Sequence, residues 1–199
     1  MSNITLILAS ASPRRQELIQ WFGLPVEVVP SDADESIDLS LAPAHIVETL
    51  ALRKALAVQP NLVKNSSQQP RWIIGSDTIV VLNERILGKP MNTATAKEML
   101  HALQGRSHQV YTGVAIVDEL GDTRHVEHNV TQVTFHAMTE QEIQGYIDTG
   151  EPLDKAGAYG IQGKGSFFIE RIEGDYFSVM GLPIHLLYRM LMKVGILLF

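Results

Sequence analysis

Residues 6–19 read Leu-Ile-Leu-Ala-Ser-Ala-Ser-Pro-Arg-Arg-Gln-Glu-Leu-Ile, and this stretch decides the fold. The apolar run at its start is typical of a buried strand. Ser12 and Pro13 follow, and both favour the start of a helix, because a serine oxygen accepts hydrogen bonds from helix amides and proline has no amide to leave unpaired. The stretch therefore predicts a strand that leads directly into a helix.

Two guanidinium groups, those of Arg14 and Arg15, belong to the first turn of this predicted helix. Helix N-termini and arginine side chains both favour phosphate oxygens. Together with the hydroxyl of Ser12, they predict an anion site at the end of the first strand.

The composition limits the classes of protein that this chain can represent. Its 199 residues predict one domain over residues 1–199, or two closely packed lobes. A net charge of −6 argues against sequence-independent binding to nucleic acid, and the lack of cysteine excludes disulfides, thiolate metal sites and cysteine nucleophiles. No apolar run approaches the roughly 18 residues of a membrane span, so we expect a cytoplasmic protein that does not contact membranes.

Hydrophobic periodicity and turn residues predict the other elements. Further strands are expected over residues 25–29, 72–82, 107–117, 123–135 and 166–172. Further helices are expected over residues 42–58 with Ser40 as the candidate cap, over 93–103 after Asn92, from Thr139 to Gly150, and after Pro183.

Asp77 is the second informative residue, because it interrupts an apolar run with only Ser76 and Thr78 as polar neighbours. A buried carboxylate is costly unless it is paired, hydrogen-bonded or bound to a metal. The alternative is an aspartate in a turn between two short strands.

A third polar cluster lies in the glycine-rich residues 151–163, where Asp154, Lys155 and Gln162 are the polar side chains. Small residues suit a close approach of the backbone to a ligand, although a glycine-rich turn without a ligand remains the alternative.

Three further charged residues, Glu35, Lys54 and Lys89, are candidates to join these clusters; the alternatives are a solvated acidic loop for Glu35 and a surface lysine for Lys89. Cations indicate a phosphate-rich ligand, and carboxylates without cysteine favour oxygen ligation of Mg²⁺ or Mn²⁺. The residues thus predict a metal-assisted nucleotide hydrolase.

Five motifs in order resemble the signatures of the Maf family of nucleoside triphosphate pyrophosphatases. They are residues 8–15, 76–80, 88–90, 110–114 and 151–163, within a resemblance that extends from about residue 5 to residue 190. The resemblance implies an α/β fold of the inosine-triphosphatase type: an elongated mixed β-sheet with flanking helices, in two lobes around a central cleft. It also implies hydrolysis between the α- and β-phosphates, a divalent metal cation, and a homodimer.

The resemblance also implies roles for individual residues. Asp77 matches the family's catalytic aspartate, either as the base that activates water or as a metal ligand, and Glu35 matches an acid near the metal. The residues that match the triphosphate-binding positions are Ser12, Arg15, Lys54 and Lys89. Asp154 and Lys155 are expected elsewhere in the cleft.

Three positions bear on the choice of base. Arg14, Thr78 and Gln162 match the branch of the family that prefers dTTP and UTP, including related modified pyrimidine nucleotides. The 7-methyl-GTP branch tends to carry tryptophan, glutamine and glutamate at these positions. An amide can donate and accept at once, which matches the O4 and N3–H edge of thymine or uracil. The alternatives are a 7-methyl-GTP pyrophosphatase and a non-catalytic, nucleotide-binding regulator of cell division.

Overall fold

The fold is a mixed β-sheet with flanking helices, seen in a computed structural model that describes residues 4–38, 40–62 and 70–199. The strands are β1 (Thr5–Leu8), β2 (Val26–Val28), β3 (Arg71–Leu82), β4 (Arg85–Leu87), β5 (Ser107–Asp118), β6 (Thr123–Phe135) and β7 (Ile169–Glu173). The α-helices are α1 (Pro13–Gln20), α2 (Pro43–Val58), α3 (Thr93–Leu103), α4 (Glu140–Asp148), α5 (Tyr176–Met180) and α6 (Ile184–Lys193). Short 3-10 turns lie at Gln59–Asn61, Glu151–Asp154, Ala156–Ala158 and Lys164–Phe168.

The sheet has both parallel and antiparallel pairs. Its order within the described residues is β2-β1-β3-β5-β6-β7, and β4 pairs with β3. β1 runs parallel to β2 and to β3, whereas β4 is antiparallel to β3 and β7 is antiparallel to β6. The predicted α/β class with a mixed sheet and flanking helices is confirmed.

The opening stretch folds as predicted, from β1 directly into α1, with Pro13 in the first turn of the helix. Ser12 lies at the capping position, but its side chain makes no capping hydrogen bond, so that detail of the prediction is wrong. The backbone carbonyl of Ser12 accepts from the amide of Gln16 at 3.1 Å, and its own amide donates to Oγ of Ser10 at 3.2 Å.

Two other boundaries differ from the prediction. Ala42, not Ser40, precedes α2, because Pro43 is already in the first turn of the helix. The strand predicted from residue 166 begins only at Ile169, since the amide and the hydroxyl of Ser166 both donate to the carbonyl of Gly163 and close a 3-10 turn. The loop predicted for residues 59–70 lies partly outside the described residues.

The chain divides into two compact units. The first unit comprises the described residues within Met1–Asp77, Thr112–Asn129 and Gly181–Phe199. The second unit comprises Thr78–Tyr111 and Val130–Met180. Three unit boundaries fall within β3, β5 and β6, and the fourth lies at the end of α5. The family signatures occur in both units, and the single domain expected over residues 1–199 stays a prediction.

In the first unit, helix α2 lies directly against the backbone of two strands. A Cβ atom added at Gly75 of β3 would overlap the carbonyl oxygen of Ala51 and lie 2.9 Å from the amide nitrogen of Ala55. One added at Gly113 of β5 would overlap the carbonyl oxygen of Val47. The two glycines therefore determine how close α2 lies to the sheet.

In the second unit, His108 of β5 is buried in the apolar core with an exposed fraction of 3%. Its Nε2 lies 2.7 Å from the hydroxyl of Tyr159, and its ring packs edge-on against Phe135 and Tyr159. Nδ1 has no hydrogen-bond partner within the described part of the chain. Burial lowers the pKa of His108 from its ordinary value of 6.5 to about 4.

This buried imidazole is expected to make the protein less stable in mild acid. Between pH 6.5 and 4 the unfolded chain binds a proton at His108 that the folded chain does not, so stability falls as the pH falls through this window. From pH 7 to pH 5 the loss is about 2 kcal/mol. Urea unfolding at both pH values should show this loss in the parent and a correspondingly smaller one in His108→Gln, whereas exposed His45→Gln is the control. An equal pH dependence in all three proteins would contradict the assignment.

No helix in the described part of the chain is long and apolar enough to cross a membrane.

Candidate active site

Asp77 lies within β3, which continues without a break through this position. Its exposed fraction is only 8%, and the neighbouring Ser76 is fully buried. The alternative of a turn between two short strands is therefore wrong. A carboxylate at this depth needs a partner, and Nζ of Lys54 supplies it at 2.6 Å from Oδ1.

Lys54 binds two carboxylates at once. Its Nζ atom lies 2.6 Å from Oδ1 of Asp77 and 2.6 Å from Oε1 of Glu35. The lysine is mostly buried on α2, whereas the Glu35 side chain is more than half exposed. Helix α2 carries Lys54 and packs directly against Gly75 and Gly113. These two glycines therefore determine how close the Lys54 ammonium group comes to Asp77.

Arg15 is held by a backbone carbonyl far along the chain. Its Nε atom donates to the carbonyl oxygen of Gly181 at 2.7 Å, and one terminal nitrogen lies 3.5 Å from Oγ of Ser10. The same Gly181 carbonyl also accepts the hydroxyl of Ser76 at 2.9 Å. One carbonyl thus orients the guanidinium group and the residue next to Asp77.

Three charged side chains of the first unit, those of Asp77, Arg14 and Glu35, act on the guanidinium group of Arg15. Burial lowers the pKa of its guanidinium group, the charges of Asp77 and Glu35 act in the opposite direction, and Arg14 adds to the lowering. Arginine remains cationic at neutral pH despite such a shift. The structure thus brings together five predicted residues, namely Arg14, Arg15, Glu35, Lys54 and Asp77, with Ser12 in the same first turn as the arginines.

The other predicted residues belong to the second unit. Thr78 follows Asp77 on β3 and is half-buried, and Lys89 is exposed after β4. Lys155 binds its neighbour Asp154 at 2.6 Å and the carbonyl of Glu151 at 2.7 Å, so Asp154 and Lys155 form a local ion pair. Gln162 is exposed on a turn between two 3-10 segments.

Three residues of these arrangements were not singled out from the sequence as parts of a site: Ser76, Gly181 and Glu151. Ser76 donates to the carbonyls of both Gly113 and Gly181, each at 2.9 Å. The signal for Ser76 was its polar side chain within an apolar strand, whereas Gly181 acts through its backbone and has no sequence signal.

The donor set of the first unit fits a divalent cation. Glu35 and Asp77 direct carboxylate oxygens at one cationic position, which the ammonium group of Lys54 takes here. The described residues contain no group of three or more histidine, cysteine, aspartate or glutamate side chains arranged to hold a metal. Mg²⁺ is commonly bound through one or two carboxylates, with substrate phosphates and waters as its other ligands, so two carboxylates suffice.

The first unit thus combines a buried carboxylate with an ammonium group and guanidinium groups, an arrangement that can accept a proton and bind phosphate. The family model described as Maf-like protein matches residues 5–194. A dTTP/UTP pyrophosphatase of Bacillus cereus is 51% identical over 96% of each chain. Another, from Desulforamulus reducens, is 49% identical over 96% of this chain and 97% of its own. The chain belongs to the Maf family.

Among solved structures, a nucleoside-triphosphatase described as a dITP/XTP pyrophosphatase, from Mycobacterium abscessus, aligns with a TM-score of 0.37. It is 17% identical over 67% of this chain and 75% of that chain, a similarity too low to carry any conclusion.

Proposed function

We propose that this protein is a nucleoside triphosphate pyrophosphatase that hydrolyses dTTP and UTP to the monophosphate and pyrophosphate. The observation that carries the proposal is the buried carboxylate of Asp77, which is bound to Lys54 in a chain about half identical to dTTP/UTP pyrophosphatases along nearly its whole length. A protein that only binds a phosphate-rich ligand has no chemical need for a carboxylate beside the lysine and the arginine, because a carboxylate repels phosphate.

Water attacks the α-phosphorus, the bond from this phosphorus to the bridging oxygen breaks, and pyrophosphate leaves with the electron pair. Asp77 accepts the proton of the attacking water. Arg15, Lys54 and Lys89 stabilise the negative charge that develops on the phosphates, and the hydroxyl of Ser12 donates to a phosphate oxygen. Asp154 and Lys155 are further candidate substrate-binding residues, as the resemblance implies.

The choice of base depends on three residues in this proposal. The Gln162 amide accepts from N3–H and donates to O4 of uracil or thymine. Arg14 and Thr78 are the other two residues that separate this substrate class from 7-methyl-GTP.

Glu35 and one carboxylate oxygen of Asp77 would hold a Mg²⁺ or Mn²⁺ ion, which leaves the other oxygen of Asp77 to accept the proton. When bound, the cation neutralises phosphate charge and makes water more acidic. We expect Glu35→Gln to raise the Mg²⁺ concentration for half-maximal activity by at least about tenfold, because it removes one charged oxygen ligand. A Mg²⁺ titration of pyrophosphate release measures this shift, with Glu27→Gln, an exposed glutamate of the same unit, as the control. An unchanged midpoint would argue against Glu35 as a metal ligand.

Three expectations from the sequence stay predictions: the homodimer, the absence of nucleic-acid binding and the cytoplasmic location.

A nucleotide panel tests the proposal. Pyrophosphate release with Mg²⁺ or Mn²⁺ is expected to be fastest with dTTP and UTP. A preference for 7-methyl-GTP would overturn the assigned base, and no release from any nucleotide would favour the non-catalytic regulator.

A further inference from the structure

Glu151, at the start of the glycine-rich segment, organises the turn that carries Gln162. Its Oε1 atom accepts the hydroxyl of Tyr146 at 2.9 Å and the amide of Gly165 at 3.1 Å. Its Oε2 atom accepts the amide of Lys164 at 2.9 Å. The Tyr146 oxygen in turn accepts the amide of Gly160 at 3.1 Å. One carboxylate and one phenol therefore bind the backbone on both sides of Gln162.

The glycines of this segment leave space for these two side chains. A Cβ atom added at Gly163 would overlap both carboxylate oxygens of Glu151. One added at Gly165 would lie 2.6 Å from the hydroxyl oxygen of Tyr146 and 2.6 Å from the carbonyl oxygen of Gly160. The backbone therefore packs closely around the Glu151 carboxylate.

The charge of Glu151 is maintained by the same contacts. Burial would raise the pKa of its carboxyl group, but the Lys164 and Gly165 amides, the Tyr146 hydroxyl and the charge of Lys155 outweigh that effect and lower the pKa. Glu151 is thus an anion at neutral pH, with both oxygens accepting.

We propose that Glu151 is a positioning residue for base selection, which acts by fixing the turn from Gly160 to Gly165 and with it the place of Gln162. The inference rests on the proposed function, in which Gln162 binds the base. The carboxylate of Glu151 binds the backbone directly on the C-terminal side of Gln162 and reaches the N-terminal side through Tyr146.

The base chemistry explains why a fixed turn matters. Uracil presents an acceptor at O4 and a donor at N3–H, and guanine presents the same pattern at O6 and N1–H. A glutamine amide can pair with either edge, so hydrogen bonding alone does not separate the two bases. The guanine edge lies farther from the ribose, because a purine has a second ring. A backbone that holds Gln162 at the place that suits uracil therefore favours UTP over GTP, and this preference depends on the turn.

Glu151→Gln tests this role while keeping the shape of the side chain. An amide has one accepting oxygen, so in either orientation its NH₂ group faces a donor, namely the Lys164 amide or the Gly165 amide. We expect the ratio of kcat/KM for UTP to kcat/KM for GTP to fall about tenfold. Tyr146→Phe, which removes the link to Gly160, is expected to lower the ratio in the same direction. Glu170→Gln, an exposed glutamate of the same unit, is the matched control.

A double variant separates positioning from general stability. If Glu151 acts through Gln162, adding Glu151→Gln to Gln162→Ala leaves the UTP/GTP ratio where Gln162→Ala alone puts it. A merely structural role would instead lower kcat/KM for both nucleotides by one factor and leave the ratio unchanged. Melting curves identify variants that fail to fold. If Glu151→Gln fails to fold, the same comparison is made with Tyr146→Phe, alone and combined with Gln162→Ala, and its result decides whether the turn positions Gln162.

The outcomes are distinct. A parent that does not hydrolyse UTP or dTTP overturns the proposed function and this inference with it. A parent that prefers UTP, with a ratio unaltered by Glu151→Gln and Tyr146→Phe, overturns only the inference. A double variant whose ratio falls below that of Gln162→Ala also overturns it, because Glu151 would then act independently of Gln162.

Discussion

Asp77→Asn is expected to slow pyrophosphate release from dTTP and UTP by about a thousandfold, the usual contribution of a general base. Asparagine keeps the size of the side chain and one accepting oxygen for Lys54, but it cannot take a proton from water. Because the side chain is buried and the chain around it is a continuous strand, the substitution should leave the backbone in place. Single-turnover and steady-state release of pyrophosphate measure the effect.

The matched control for Asp77→Asn is Asp122→Asn, the same chemical change at an exposed residue of the same unit. Circular dichroism and melting curves should show that both variants are folded. Equal pyrophosphate release by Asp77→Asn and Asp122→Asn would contradict the catalytic assignment, even if both proteins bind nucleotide.

Gly75→Ala is expected to destabilise the protein by about 3 kcal/mol or more, because overpacking against backbone cannot be relieved by a change of rotamer. The added methyl group would overlap the Ala51 carbonyl and push α2 away from the sheet. Since α2 carries Lys54, the folded fraction should also lose activity. Urea unfolding measures the first effect, and pyrophosphate release from the remaining folded protein measures the second.

Gly145→Ala is the control for this substitution. Gly145 lies in α4, and an added Cβ atom there would have nothing within 4 Å. Alanine should stabilise a helix at such a position by about 0.5–1 kcal/mol. If Gly75→Ala changed the unfolding free energy by less than about 1 kcal/mol, the close approach of α2 to β3 would not be as tight as described.

The sequence predicted those elements whose signals are local. The apolar runs of β1 and β3 were recognisable because a buried strand needs little besides consecutive apolar residues. The starts of α3 and α4 were recognisable because Asn92 and Thr139 accept from backbone amides three residues later in the chain. Serine also favours capping positions, but Ser40 does not cap α2, because Pro43 begins that helix and Ala42 precedes it. Ser12 does precede α1, yet its side chain makes no capping bond.

The charged residues of the site were predicted for a different reason. Asp77 was recognisable because a carboxylate in an apolar strand needs a partner. Arg15 was recognisable from its place at the start of a predicted helix, and the role of Lys54 only from the resemblance to the Maf family. The sequence does not show which partner each of these residues takes. Gly75 contacts the backbone of α2, and Glu151 accepts hydrogen bonds from the backbone amides of Lys164 and Gly165. Such contacts cannot be recognised in the sequence, because backbone atoms are alike in every residue.

The hydrogen bond from Arg15 to the Gly181 carbonyl also bears on when the site can form. Gly181 follows Arg15 by 166 residues. During synthesis, the arginine emerges from the ribosome long before the carbonyl that orients it. Contacts between such distant residues form late, because a long segment of chain must be closed first. A nascent chain that ends before this glycine therefore has its arginines and its first strand but no oriented guanidinium group, so nucleotide hydrolysis begins only after Gly181 has been synthesised.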